Sequence, residues 1–351
     1  MGKSIRIHRF ALWFLASLGI LTALYLFAAV VANPRGYFHP HIFPEVTWDS
    51  RGDKMKLFES YNREDPVEGL VLGSSRVMKI PPGELETGLN QRFFNFGVNN
   101  ARTEDDLAIY RWVKRRAAHL KTILIGLDVE ALHNNDIFNV QLLDNLDLSR
   151  ALENGEKQGF RDRVNQFEDR MEKIMSRAYA KDIALSVLSA IKPPLALYAI
   201  DQNGLLHYIQ FEKKLAAGTF RLQEVCENTR AKYIKRFSGM NSLSKQRCFY
   251  LEQLLTEARR DQMKVALWIT PVRPDFERLL GSNTQYSIIL GELRSYTKGL
   301  EKQFGVSVFD FSEQASFDGV DSDWYDDIHV NPANASRITA HVVNGLKDNG
   351  F

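Results

Sequence analysis

Gly69-Leu70-Val71-Leu72-Gly73-Ser74-Ser75-Arg76 is the stretch on which the reading of this chain turns. A short apolar run closed by a glycine and two hydroxyl side chains reads as a buried strand ending in a turn. Working outward, Phe93 to Val98 is a second run of strand type and Thr122 to Leu127 (TILIGL) a third. Val265 to Ile269 (VALWI) is a fourth and Val306 to Phe311 a fifth. Helical patterns separate them. Glu104 to His119 carries Leu107, Ile109, Tyr110, Trp112 and Val113 among charges, and Tyr250 to Arg260 precedes the fourth run. A last helix is expected over Ala333 to Leu346, with Asn331-Pro332 as its start signal.

Strands that are apolar on both faces and alternate with helices imply a mostly parallel five-stranded sheet covered on both sides, a three-layer α/β/α arrangement. In such sheets function collects beyond the carboxyl ends of the strands. Ser75 falls there after the first run, Asn99-Asn100 after the second, Asp128 after the third and Thr270-Pro271 after the fourth. Leu132 to Ser244 breaks the alternation: it is mainly helical in pattern, with charged stretches (Arg161 to Lys173) and a Lys192-Pro193-Pro194 break. It reads as a helical insertion at about 132–244, either a cap over the site or a plain elaboration.

Phe10 to Ala32 is free of charge and long enough to cross a hydrocarbon core of about 30 Å as a helix. Lys3, Arg6 and Arg9 precede it, which leaves residues 1–9 cytoplasmic and exports everything after Asn33. Val30-Val31-Ala32 could pass as a signal-peptidase site, but the apolar segment exceeds the usual signal core, so an uncleaved anchor over 10–32 is expected. Residues 33–66, rich in Pro, aromatics and charges without sustained periodicity, read as a stalk leading into a domain over 67–351.

A formal net charge of +2 and no basic stripe interleaved with aromatics exclude nucleic acid as an expected partner. Cys226 and Cys248 are the two cysteines, able to form one disulfide in an exported domain if their backbones come close. No spacing resembles a zinc-ligand array, so neither a metal nor a cofactor is expected, and His39-Pro40-His41 reads as a juxtamembrane loop.

Asp326-Asp327-Ile328-His329 near the far end completes a second pattern. A serine hydroxyl is a poor nucleophile until a base takes its proton, and the base needs a third group to fix its tautomer. Asp326 and His329 can share one turn, His329 then deprotonating Ser75 while Asp326 orients the imidazole; Asp327 competes for the orienting role. A turn from strand into helix at Ser75 would add N–H groups facing a developing oxyanion. Each motif has a plain reading too, as a helix cap for the serines and a solvated turn for Asp-x-x-His. Arg76 could hold an anionic substrate group or pair with a nearby carboxylate, and Arg273, past the fourth strand, is a second candidate for substrate contact. Trp324 and Tyr325 could stack on a sugar or simply pack their loop.

Gly73-Ser74-Ser75 and Asp326 to His329 resemble the first and last blocks of the SGNH hydrolase superfamily, whose sheet is flavodoxin-like. Asn95-Phe96-Gly97-Val98-Asn99-Asn100 is similar to the family's second block, Asn-x-Gly-x-x-Gly, with Asn100 replacing the second glycine. Asparagine tolerates the left-handed backbone well enough to keep an N–H donor there. Gly126-Leu127-Asp128-Val129 departs from the third block, Gly-x-Asn-Asp: its oxyanion asparagine is missing, and an anionic Asp128 cannot donate. The resemblance thus implies an oxyanion hole drawn from Ser75, Gly97, Asn99 and Asn100, with Asn99 as the substitute asparagine.

The anchor, the Gly-Ser-Ser block and the helical insertion look like the membrane-tethered acyltransferase and esterase branch, similar to the D-alanyl transfer protein of teichoic acids and the alginate O-acetyltransferases. That likeness implies a bacterial inner-membrane protein with a periplasmic catalytic domain. It would form an acyl–Ser75 intermediate from an acyl donor and pass the group to a glycan acceptor of the envelope or to water, beside a multi-spanning acyl carrier. The alternative is a non-catalytic scaffold of an envelope polysaccharide system that keeps the fold.

Overall fold

The structure, a computed structural model, describes residues 2–38, 42–46, 49–134, 140–153, 168, 171–193 and 196–348. His39-Pro40-His41 and most of Arg161 to Lys173 lie outside the described residues. In chain order the elements are α1 (Gly2–Ala32), α2 (Ser50–Glu64), β1 (Gly69–Gly73), α3 (Pro82–Leu89), β2 (Phe93–Asn95), α4 (Thr103–Lys114) and β3 (Thr122–Leu127). A 3-10 turn (Val129–Leu132), α5 (Val140–Asp144), α6 (Leu146–Leu152), α7 (Arg177–Ile191), β4 (Tyr198–Ile200), β5 (Leu206–Tyr208), α8 (Ile209–Ala216) and α9 (Leu222–Ser238) come next. The chain closes with α10 (Lys245–Arg260), β6 (Lys264–Ile269), α11 (Pro274–Asn283), α12 (Tyr286–Phe304), β7 (Ser307–Asp310) and α13 (Pro332–Asp348).

The chain forms two compact units, one from residues 1–48 with 157–195 and one from 49–156 with 196–351. In the larger unit, five parallel strands run in the order β2-β1-β3-β6-β7. Alternation along each strand decides the faces. Leu70, Leu72, Ile123, Ile125 and Leu267 join α2, α4 and α10 in one core, while Val71, Leu124, Ala266 and Trp268 join α3 and α13 in the other. Each such side chain, fully buried, contributes about 1.5–3 kcal/mol relative to exposure. The strand order reverses direction at β1, between β2 and β3, and in open sheets that switch point opens a crevice at the carboxyl ends. A separate antiparallel hairpin joins β4 and β5.

Residues 50–64 correct the stalk expected over 33–66. They form α2, whose buried positions Arg51, Lys54, Met55 and Phe58 recur at the i, i+3, i+4, i+7 spacing of a helix face. Two cations on that face concealed the periodicity. Arg51 pairs with Asp105 at 2.8 Å, and Lys54 donates to the carbonyl of Asn95 at 2.8 Å. Burial holds the Lys54 ammonium well below its ordinary value.

In the smaller unit, α1 carries the apolar stretch Phe10–Ala32, of mean hydropathy 2.3, long enough to cross a membrane. Length and composition alone fit a span or a signal sequence. Its last turns pack against the segment holding α7: Ala29, Ile174 and Tyr179 are buried together, and the Tyr25 hydroxyl donates to the Ile174 carbonyl. Beyond α1, Arg35 pairs with Asp182 at 2.8 Å, and Ser186 Oγ donates to the carbonyls of Ala32 (3.2 Å) and Pro44 (2.6 Å). Residues 171–193 therefore leave the insertion read over 132–244 and associate with the N-terminal helix instead.

Candidate active site

The Ser74-Ser75 turn begins at the last pair of the β1–β3 ladder, Gly73 opposite Gly126. Gly73 has φ +131, and a Cβ there would lie 2.5 Å from the Gly126 carbonyl, so only glycine fits. Ser74 and Ser75 follow at once. The chain does not enter a helix here as expected; it passes through a turn, closed by Val77 N–H donating to Ser74 O at 3.1 Å, and α3 starts only at Pro82. The Ser75 amide makes no hydrogen bond to another group among the described residues.

Ser75 Oγ lies 2.9 Å from His329 Nε2. The other ring nitrogen, Nδ1, is 2.8 Å from Asp326 Oδ2. Asp326 reaches this position because its Oδ1 accepts the backbone N–H groups of Ile328 and His329, both at 2.8 Å, folding Asp-x-x-His into a side-chain-capped turn. A bridge between Trp324 and Val330 pins the two ends of that turn. Tyr233, on α9, donates to Asp326 Oδ2 at 2.8 Å. Burial alone would raise the Asp326 carboxyl. The His329 charge and these hydrogen bonds overcome it and hold the group at about 2. Hydroxyl, imidazole and carboxylate thus meet in one hydrogen-bonded line, with the ring's tautomer set by its acid.

Asp327 has a different set of partners. Fully buried, it takes Arg230 through two bonds of 2.9 Å and Arg273 Nη1 at 3.5 Å. Arg273 also pairs with Asp275 at 3.0 Å. Arg76 is buried against Glu130 at 2.5 Å, and Glu130 in turn takes Arg236 at 3.2 Å. Both arginines expected to touch substrate are therefore held by carboxylates. Trp324 and Tyr325 are buried, which leaves them packing roles.

The second and third blocks show what their departures do. Asn95 buttresses the turn, its Nδ2 donating to the carbonyls of Val77 (2.8 Å) and Ile80 (2.9 Å). Its Oδ1 accepts the Gly97 amide at 2.9 Å, and the Asn99 amide donates to Ser50 Oγ at 2.9 Å. These two backbone donors are engaged, which removes Gly97 from the expected oxyanion set. The Asn99 side-chain amide makes no hydrogen bond among the described residues, and Asn100 takes the left-handed conformation (φ 51) that the block demands. Asp128 accepts Ser74 Oγ and the Ala131 amide (2.7 Å), so it anchors the Ser74-Ser75 turn. Burial pushes its carboxyl up against the opposing pull of Arg76.

Three contributors carry no sequence signal beyond ordinary core patterning: Tyr233, Tyr208 and the Lys79–Glu212 pair. The Tyr208 ring lies 6.2 Å from that of His329 and 5.0 Å from Tyr325, with Phe211 and Phe220 behind. Glu212 accepts from Lys79 (2.8 Å), Tyr325 (3.1 Å) and His207 (2.9 Å), tying the β4–β5 hairpin and α8 to the segments that follow Ser75 and precede Asp326.

Cys226 and Cys248 are free thiols, Cys226 buried beside Arg273 and Asp327 and pushed up to about 12 by that burial and the Asp327 charge. Among the described residues no group of His, Cys, Asp and Glu is placed to hold a metal ion. No curated protein matches the chain. A family model described as "Protein of unknown function (DUF1574)" matches residues 54–346, from within α2 to the last turns of α13, and the chain belongs to that family.

Proposed function

We propose that this chain is a membrane-anchored, serine-dependent O-acyltransferase or carboxylic ester hydrolase of the SGNH type, working outside the cytoplasmic membrane on O-acyl groups of an envelope or exported polysaccharide. The observation that carries the reading is the hydrogen-bonded line Ser75 Oγ, His329 Nε2, His329 Nδ1, Asp326 at 2.9 and 2.8 Å. An ion-pair or capping role for these residues would not need the hydroxyl to face the ring nitrogen opposite the carboxylate.

In the first half-reaction His329 Nε2 takes the Ser75 proton as Oγ bonds to the acyl carbonyl carbon. The tetrahedral oxyanion then collapses, the donor's oxygen leaving with the proton from Nε2. In the second, His329 deprotonates a glycan hydroxyl or water, which attacks the acyl carbon, and Ser75 leaves with that proton. The Asp326 carboxylate stabilises the imidazolium formed in each step. The Ser75 amide and the Asn99 side chain are the donors for the oxyanion, a role worth about 2.7–4 kcal/mol per donor. A multi-spanning acyl carrier as donor partner is implied by the family likeness.

A fluorophosphonate probe tests the reading directly. It should label the wild-type chain at Ser75 and fail on Ser75→Ala and His329→Ala. Equal labelling of Ser75→Ala, or none of the folded wild type, would leave the scaffold alternative standing.

A further inference from the structure

Helix α7 presents two different surfaces. Its inner side packs on the end of α1 through Tyr179, Asp182, Ile183 and Ser186. Among the described residues of the smaller unit its outer side has no partner. From Ile183 to Ile191 it carries no charge, and Leu188 and Ile191 are 59% and 78% exposed, with Leu185 and Val187 exposed beside them. Within α7 and at its C-cap the exposed charges are Arg177, Lys181 and Lys192, because the helix's one acid, Asp182, is held by Arg35; the exposed acid Glu172 lies ahead of the helix, in the approach to it. Exposed apolar residues with basic neighbours and no free acid on the helix itself are the composition of a helix lying in a membrane interface, where lysine and arginine reach phosphate headgroups.

Position agrees with composition. The segment touches α1 over Tyr25 to Ala32, the last turns of its apolar stretch, and the adjoining α1 surface (Leu24, Phe27, Val30) is exposed and apolar too. The two apolar surfaces belong to one packed unit. Cleavage after Ala32 would also strip Ile174 and Tyr179 of their cover.

We infer that α7 is an interfacial membrane helix: its charge-free outer side enters the acyl-chain boundary beside an uncleaved α1, and Arg177, Lys181 and Lys192 reach phospholipid headgroups. The inference rests on the reading of α1 as an anchor. Its occupant is lipid rather than protein because the surface continues a span, is free of charge from Ile183 to Ile191, and is flanked on the helix itself by exposed cations.

The test uses the full chain in vesicles of phosphatidylethanolamine and phosphatidylglycerol. Nitroxide labels are placed at Leu188→Cys or Ile191→Cys, with Phe14→Cys on α1 and Lys214→Cys on α8 as references. The unmodified chain supplies the background from the native thiols. Collision with oxygen reports lipid and collision with a water-soluble nickel chelate reports water. Positions 188 and 191 are expected to match position 14, with an oxygen-to-nickel ratio several-fold above that at position 214. If 188 and 191 match 214 while 14 reports lipid, the inference fails and the anchor stands. If position 14 also reports water, the anchor reading itself fails. Shielding of 188 and 191 from both reagents means a protein cover and overturns the inference equally.

Discussion

Replacing Asp326 with Asn separates the two carboxylates of the Asp-Asp-x-His turn. The two backbone N–H groups both bond Oδ1, so the asparagine oxygen keeps that position and its NH2 takes the place of Oδ2. The NH2 then faces His329 Nδ1 and the Tyr233 hydroxyl, both about 2.8 Å away. Nδ1 must become an acceptor, which moves the ring proton to Nε2, toward Ser75. A protonated Nε2 cannot act as base. The expected loss is about three to four orders of magnitude in rate, or about 4–5.5 kcal/mol in the barrier. Folding should change little, since the turn keeps its caps.

Asp327→Asn should do the reverse. Breaking a buried carboxylate away from Arg230 and Arg273 costs about 2–4 kcal/mol after allowing for the partial exposure of Arg230. That lowers the melting temperature by roughly 4–10 °C. The labelling rate of folded protein should stay within about tenfold of wild type, since a residue off the reacting line acts only through small displacements. The assay is the second-order rate of fluorophosphonate labelling at Ser75, with circular dichroism confirming fold. An Asp326→Asn rate within about tenfold of wild type, or an equal collapse in folded Asp327→Asn, would refute the assignment.

Tyr233→Phe removes a hydrogen bond to a charged group, worth about 1.5–3 kcal/mol, and should raise Asp326 by about one to two pH units from about 2. The carboxylate stays ionised at neutral pH but holds the imidazolium more tightly, so the acid limb of the labelling-rate profile should move to higher pH. An unmoved limb would mean that Tyr233 only packs. Ser74→Ala leaves the buried Asp128 short of a donor; stability should fall by about 1–3 kcal/mol in urea titrations, and labelling should slow by up to about 10²-fold if the turn shifts. A variant as stable and reactive as wild type would remove the anchoring role from Asp128. For His207, burial would lower the imidazole, but hydrogen bonds to Asp201 and Glu212 raise it. Its contribution to holding the β4–β5 hairpin is therefore full below about pH 6.5 and lost as pH rises through the raised value. Glu212, at about 2, stays ionised throughout. Amide exchange over residues 196–212, corrected for intrinsic base catalysis, should accelerate across that window in wild type and not in His207→Gln.

The sheet was legible because its strands are apolar on both faces. Thr122 to Leu127 coincides with β3, and the first, fourth and fifth runs match β1, β6 and β7 within a residue at either end. The second run ends its regular pairing at Asn95, although the amides of Phe96 and Val98 still bond β1. Asn331-Pro332 starts α13 as read, its side chain accepting the Ala333 amide at 2.9 Å. Ser75 stood out because its block falls at the end of β1, and Asp326 and His329 because their spacing fits one turn just ahead of the last helix. The features that stayed hidden depend on long-range placement. Tyr233 looks like any core tyrosine on a helix, and nothing local says that its hydroxyl meets a carboxylate 93 residues away. The return of residues 171–193 to α1 is likewise a tertiary choice. Asp128, read only as a missing donor, has a positive job that appears once Ser74 is beside it.

Helix α2 sets where an independent fragment of the larger unit can begin. The family match starts at residue 54, inside that helix. A chain cut there would lack Ser50 and Arg51, whose side chains hold the Asn99 amide at 2.9 Å and its carbonyl at 3.2 Å. A cut at residue 67 would also discard Lys54 and expose Phe94 and Phe96, which Phe58 covers. A soluble version that retains a working oxyanion pocket must start upstream of Asp49; shorter ones should express poorly or react slowly with Ser75 still in place.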